Sequence, residues 1–351
     1  MPTATAHAGR AAFRYPDFRR FMAARLLTTM ASEMQAVAVA WQVYGLTHRP
    51  LDLGLVGLAQ FLPGILLFPI TGHTADRYSR LHILRACYVA FSVTSLLLLS
   101  FTWRGMAVVW PIYLAIAWNG TVRAFNGPAG QAFLPLLVPA EHFPNAVAWN
   151  ASVFQAATIV GPAAGGLVYG WTGSPLAIYA ASACAYLAAF AFMTAVRVRT
   201  AERPRAASLG MVLDGFHFIW RHKLILGAIS LDLFAVLLGG AVALLPVYAR
   251  EILHVGASGL GILRSAPGIG AVAMAVIVAH RPLRKRGITL LGCVFGFGVF
   301  TIVFGLSRNL ALSIVSLALV FIIVNGRGNS SFLPIRDAGY FIDRVDQVIR
   351  A

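Results

Sequence analysis

Acid is scarce in this chain: twelve Asp and Glu stand against twenty-eight Lys and Arg, and charged residues of both signs make up only 11% of its 351 residues. With 59% apolar residues and a mean hydropathy of +0.76, that shortage excludes an ordinary soluble domain and places the chain in a membrane. Cysteine is rare as well. Cys87, Cys184 and Cys293 fall in apolar runs without CxxC or metal-ligand spacing, so a redox motif is excluded and buried packing is expected. No GxxxxGK[ST] loop, HExxH, GxSxG or spaced histidine cluster occurs. ATP hydrolysis by a phosphate-binding loop, metalloproteolysis and ester hydrolysis therefore have no machinery, and the chain is read as a non-enzyme without cofactor or metal. Apolar runs such as LLLLSF and AYLAAFAFMTAV do not alternate with polar residues, which excludes a lipid-spanning β-barrel.

What the chain does have is long apolar runs. A transmembrane helix needs roughly 20 mainly apolar residues to cross about 30 Å of hydrocarbon. Ten candidate spans are predicted, at 21–44, 53–71, 84–101, 107–126, 147–169, 175–196, 224–248, 258–279, 288–305 and 310–324. The expected fold class is an all-α polytopic membrane protein.

Lys and Arg collect in alternate loops. One set holds Arg10, Arg14, Arg19 and Arg20, then Arg77, Arg80 and Arg85, then Arg197 to Lys223, then Arg281 to Arg286; the other holds only Arg49, Arg104, Arg250 and Arg308. The basic loops are retained in the cytoplasm, so the amino terminus is expected inside a bacterial inner membrane. The same placement explains the net charge of +16: these cations flank spans and face anionic lipid headgroups, which excludes a nucleic-acid partner. No cleavable signal is expected, because the first apolar run is long enough to span and no small-residue cleavage site follows it.

A polar interval, residues 197–223, follows the sixth span. The expected domains are a cytoplasmic tail (1–20), a six-helix bundle (21–196), a basic linker with either an interfacial helix or a solvated connector (197–223), a second, incomplete bundle (224–324) and a tail (325–351). Carriers built from two repeated bundles hold substrate near the membrane midplane between them.

Glu33 and Asp232 are the acids that fall within spans. An intramembrane carboxylate is by default a functional hypothesis, because it can carry a proton. Each is a proton-coupling candidate or, alternatively, a structural ion-pair partner, with Arg25 or Arg264 as mates. Asn119, Arg123 and Asn126 recur four and three apart and share one helix face. They either line a cavity for an anionic or hydrogen-bonding substrate, or form a relay to Glu33, or Arg123 only snorkels to the inner surface. Gln35 and Gln42 are expected to line the same cavity, together with Trp41 and Gln155.

Two motifs carry a resemblance. Gly72, Asp76, Arg77 and Arg80 in GHTADRYSR resemble the G-x-x-x-D-R-x-x-R signature of the major facilitator superfamily, and Gly161, Pro162, Gly165 and Gly166 in GPAAGG resemble its antiporter-type GPxxGG motif. Stretches such as QAVAVAWQVYGLT and LGLVGLAQFLP are similar to the branch containing the enterobactin exporter and macrolide efflux pumps. The resemblance implies two bundles of six helices. It also implies a latch in which Asp76 holds one state of a rocking carrier, and a sealing role for GPAAGG that fits export. Plain positive-inside residues and plain helix packing are the alternatives.

The resemblance ends near residue 322, and 325–351 does not look like the family; a frameshift or premature stop is expected to have removed two helices, with a divergent ten-span protein as the alternative. The implied function is a monomeric, proton-coupled exporter of a small amphiphilic molecule, drug-like or siderophore-like. An importer and a non-transporting membrane product remain the alternatives.

Overall fold

The computed structural model describes residues 11–67, 70–71, 74, 78–105, 108–197, 220, 226, 230, 241–280 and 286–331. Among them there is no strand. Six long helices form the first part: α1 (Pro16–Thr47), α2 (Pro50–Leu66), α3 (Arg80–Trp103), α4 (Trp110–Phe133), α5 (Phe143–Thr172) and α6 (Leu176–Thr194). Three more follow, α7 (Ala257–His280), α8 (Arg286–Leu306) and α9 (Leu310–Ser331). Each corresponds to a predicted span. The seventh predicted span, 224–248, falls mostly outside the described residues; its end runs as a 3-10 turn Ala241–Leu244 and a π-helical turn Tyr248–Ile252.

By length and composition, α3, α6, most of α7 and the stretch Ala140–Thr172 are apolar enough to cross a membrane, and Pro50–Leu66, Gly292–Leu306 and Leu310–Val324 are shorter apolar helices. The helices α1 and α4 fall short of that test. They are also the helices that carry Arg25, Glu33, Gln35 and Gln42, and Asn119, Arg123 and Asn126. Polar groups spent on the interior lower the mean hydropathy of the helix that brings them.

The chain divides into two units, one of residues 1–222 with 241–265 and one of 223–240 with 266–351. In the first, α1 packs on α5, α6 and α2, α3 packs on α4 and α6, and α2 packs on α4. Proline in the first turn of α1, α2, α4 and α5 supplies a preset φ where a backbone N–H has no intrahelical partner. One end of this bundle is closed by arginines: Arg80 donates to the Ala132 carbonyl at the end of α4 (2.9 Å), Arg85 to Met193 and Thr194 at the end of α6, and Arg20 to Ala195 (2.8 Å). Cations satisfy the orphan carbonyls of a helix carboxyl end and favour its dipole. The opposite end shows Trp103, Trp110 and Trp171, exposed, as interfacial tryptophans are.

A core of Phe18, Phe21, Phe91, Phe133, Tyr186 and Met193 fills the arginine-rich half, and one of Val39, Val43, Leu98, Ile116 and Tyr179 fills the tryptophan half. Of the cysteines, Cys87 is buried as expected, but Cys184 is exposed and Cys293 half-buried. A residue inside a span can be buried in lipid and not in protein. In the second unit α8 packs on α9, and Gly270 of α7 lies against the Ala318 carbonyl of α9.

Candidate functional site

Two cavities lie along α1, and Ser32 lines both. Toward the arginine-rich end is a cavity of about 390 Å³ holding Arg25, Thr28, Thr29, Glu33, Tyr88, Arg123 and Asn126. Toward the tryptophan end is one of about 260 Å³ holding Gln35, Gln60, Asn119 and Arg264. The spacing of Asn119, Arg123 and Asn126 does place them on one face of α4, but that face runs past both cavities, Asn119 in one and the other two in the next.

The two glutamines part company. Gln35 is buried in the cavity wall and accepts a hydrogen bond from Ser95 (2.8 Å). Gln42 corrects the expectation for it: its Nε2 donates to Thr102 (2.9 Å), its Oε1 accepts from the Tyr179 hydroxyl (2.6 Å), and it lines neither cavity. Seven residues restore the face of a helix but advance it about 10 Å, which carries Gln42 beyond the cavity to the seam of α1, α3 and α6. Trp41 also sits elsewhere, packed edge-on against Tyr169 at 6.5 Å with the Arg250 guanidinium 5.8 Å from its ring centre.

Glu33 forms no ion pair with Arg25 or with Arg264; among the described residues the ion pair is Arg20 with Asp17 (2.9 Å). Arg264 turns its Nη1 to the Ala36 carbonyl (3.0 Å). Against the Glu33 side chain lies α5. A Cβ on Gly161 would stand 2.7 Å from the Glu33 Cβ, and one on Gly165 would stand 2.8 Å from the Met34 Cα. The next glycine faces the other way: a Cβ on Gly166 would stand 2.7 Å from the Cα of Gly261 on α7, whose own face lies against the Pro162 carbonyl. The GPAAGG ridge thus seats α5 between the Glu33 face of α1 and the first turns of α7. Ser265 closes that second seam by donating to the Ile159 carbonyl (2.6 Å).

Of the other motif, Arg80 caps α4, while Gly72, Asp76 and Arg77 lie outside the described residues, as does Asp232.

The MFS_3 family, transmembrane secretion effector, matches residues 7–324. The chain belongs to that family. Among curated proteins, this chain is similar to the enterobactin exporter EntS of Shigella boydii serotype 4 (strain Sb227), 26% identical over 313 residues that cover 87% of this chain and 73% of that one. It is also similar to the uncharacterized MFS-type transporter y4rN of Sinorhizobium fredii, 23% identical over 275 residues, with 77% and 68% covered. Solved structures of like fold include a bacterial homolog of the human lysosomal transporter Spinster, inward-facing and unoccupied (TM-score 0.66, 14% identity, 90% and 74% covered), and the nucleoside transporter NupG (0.64, 14%, 90% and 80%). These establish the major facilitator fold and a membrane transporter.

Nothing in the sequence marks the clamp at the tryptophan end. There Tyr44 donates to Glu251 (3.3 Å), Arg250 lies over Trp41, and a Cβ on Gly45 would meet the Arg250 guanidinium at 3.2 Å. Both charges lie in a predicted loop, where nothing in the sequence marks a contact with α1. Arg264 was legible only as a mate for Glu33. The test that picked out Glu33, a charge inside an apolar run, picks out Arg264 equally when applied to bases.

Proposed function

We propose that the chain is a proton-coupled exporter of small amphiphilic molecules, drug-like or siderophore-like, in a bacterial inner membrane, with its amino terminus and arginine-rich end in the cytoplasm. The observation that carries the reading is the seating of the antiporter-type glycine ridge on the helix face that holds Glu33. Protonation of Glu33 changes the charge of the larger cavity by one unit, at the seam where α5 meets α1. Charge and packing are thereby linked, which is what a carrier needs if proton binding is to bias its conformational equilibrium. The similarity to proteins named enterobactin exporters supports the outward direction. Asp232 remains the second coupling candidate, and Gly72, Asp76 and Arg77 the candidate latch with Arg80.

The test is flux into inverted membrane vesicles. On imposing an acid interior, an amphiphilic dye should accumulate in vesicles bearing the wild-type chain. Glu33→Gln should lower proton-driven accumulation by about tenfold or more while dye exchange without a gradient continues, because the neutral side chain keeps the shape and loses the proton. Accumulation in intact cells would instead mean import, and no flux in either preparation would mean a non-transporting product.

A further inference from the structure

The larger cavity has a chemistry more specific than amphiphilic. Two guanidiniums face it against one carboxylate, that of Glu33. Arg25 lies half-buried at its side, 5.9 Å from the centre of the Phe154 ring, and its Nε is buried without a hydrogen-bond partner. The Arg25 Nη1 rests over Gly130 of α4, where a Cβ would come within 3.5 Å of it. Arg123 is exposed and forms no ion pair among the described residues. Asn126 lines the same cavity, and its Oδ1 is buried and accepts nothing. Phe21, Phe91 and Phe154 supply an aromatic wall.

Buried polar atoms in folded chains are satisfied as a rule, and an orphan donor and an orphan acceptor in one cavity point to a missing ligand that carries the complementary groups. We propose that this cavity is the binding site of an aromatic organic anion that also bears a hydrogen-bond donor: its carboxylate or phenolate lies between Arg25 and Arg123, its ring lies on Phe154, and its donor reaches the Asn126 Oδ1. Guanidinium forks match planar oxyanions, and guanidinium and ring stack on aromatic faces. A volume of about 390 Å³ takes a ligand of one or two rings. The identification of the substrate class rests on the export reading only for its direction, and an inside-negative potential drives an anion outward.

Equilibrium binding to the purified full chain in lipid nanodiscs separates the two claims, because it needs no transport. The probe is fluorescent 3-hydroxy-2-naphthoate, and the control is its neutral amide, 3-hydroxy-2-naphthamide. The wild-type chain should bind the acid about tenfold or more tightly than the amide, and this preference should shrink with added salt. Arg123→Gln and Arg25→Gln should each reduce the preference to about threefold or less, whereas Arg25→Lys, which keeps the charge, should retain part of it. Should Arg25→Gln fail to fold, the exposed Arg123→Gln and the isosteric Asn126→Asp decide: the latter places a second negative charge beside the ligand and should weaken the acid while sparing the amide. Equal binding of acid and amide by the wild type, or a preference unchanged in Arg123→Gln and Asn126→Asp, overturns the anion site. Preferred binding of naphthoate without proton-driven dye flux in vesicles leaves the site standing and overturns export; proton-driven dye flux without the preference does the reverse.

Discussion

Gln42 and Glu33 occupy the same helix, and the structure gives them different surroundings: Glu33 lines a cavity, and Gln42 is bonded into a seam. The Gln42 amide is consumed by Thr102 and Tyr179, which ties α1 to α3 and α6 inside a buried cluster. Gln42→Leu leaves a buried Tyr hydroxyl without its acceptor, a loss of about 1–3 kcal/mol. The expected result is a lower unfolding temperature in detergent with ligand affinity within about twofold of wild type, measured by thermal scanning fluorimetry and binding on one preparation. Loss of affinity with unchanged stability would return Gln42 to the cavity. Gln35 differs: it holds Ser95 and faces the smaller cavity, so its replacement should move both readouts.

At the scale of elements, the decisive feature is the glycine ridge. Gly165 and Gly166 look in different directions, one onto the backbone of α1 and one onto the backbone of α7, and in neither case is the neighbour a flexible side-chain tip. Gly166→Ala must therefore push Gly261 and Ala257 away, at about 1–3 kcal/mol for overpacking. Transport should fall further than stability, because the seam has to close as well as fold. A Gly166→Ala chain with wild-type flux and unfolding temperature would remove the seam from the mechanism.

The arginine caps offer a second test at this scale. Arg85 bonds two carbonyls at the end of α6, and Arg85→Gln gives up charge-assisted bonds at a helix end worth about 1–2 kcal/mol. A matching loss of stability, without any change in membrane orientation, would show that these arginines cap helices rather than only set topology. Their abundance in one set of loops is legible from sequence. That they spend themselves on carbonyls of other helices is not, because the partners lie about 50 to 175 residues away.

For the whole molecule, the arrangement predicts two chemically different ends. Trp171, 94% exposed, stands at one, and Arg197, at the exit from α6, stands at the other. In a chain whose native cysteines are replaced by serine, Trp171→Cys should react with a membrane-impermeant maleimide from outside intact cells, and Arg197→Cys only in inverted vesicles. The reverse pattern would invert the topology and, with it, the direction proposed for transport.

Hydropathy alone determined the fold class and nearly all the helices, because a segment that must satisfy its backbone in lipid has little choice but to be helical, and a run of apolar residues announces it. The GPAAGG motif was legible for a related reason: close helix approach demands glycine, and glycine at fixed spacing is visible in one dimension. What only the tertiary structure decided is which polar groups meet. Gln42 left the cavity for a seam, Glu33 found a glycine ridge instead of a counter-ion, and Arg25 and Asn126 came to face one cavity with unmet hydrogen-bonding atoms. Such juxtapositions depend on the tilt and rotation of whole helices against one another, which are set by many packing contacts at once and leave no periodic trace in the sequence.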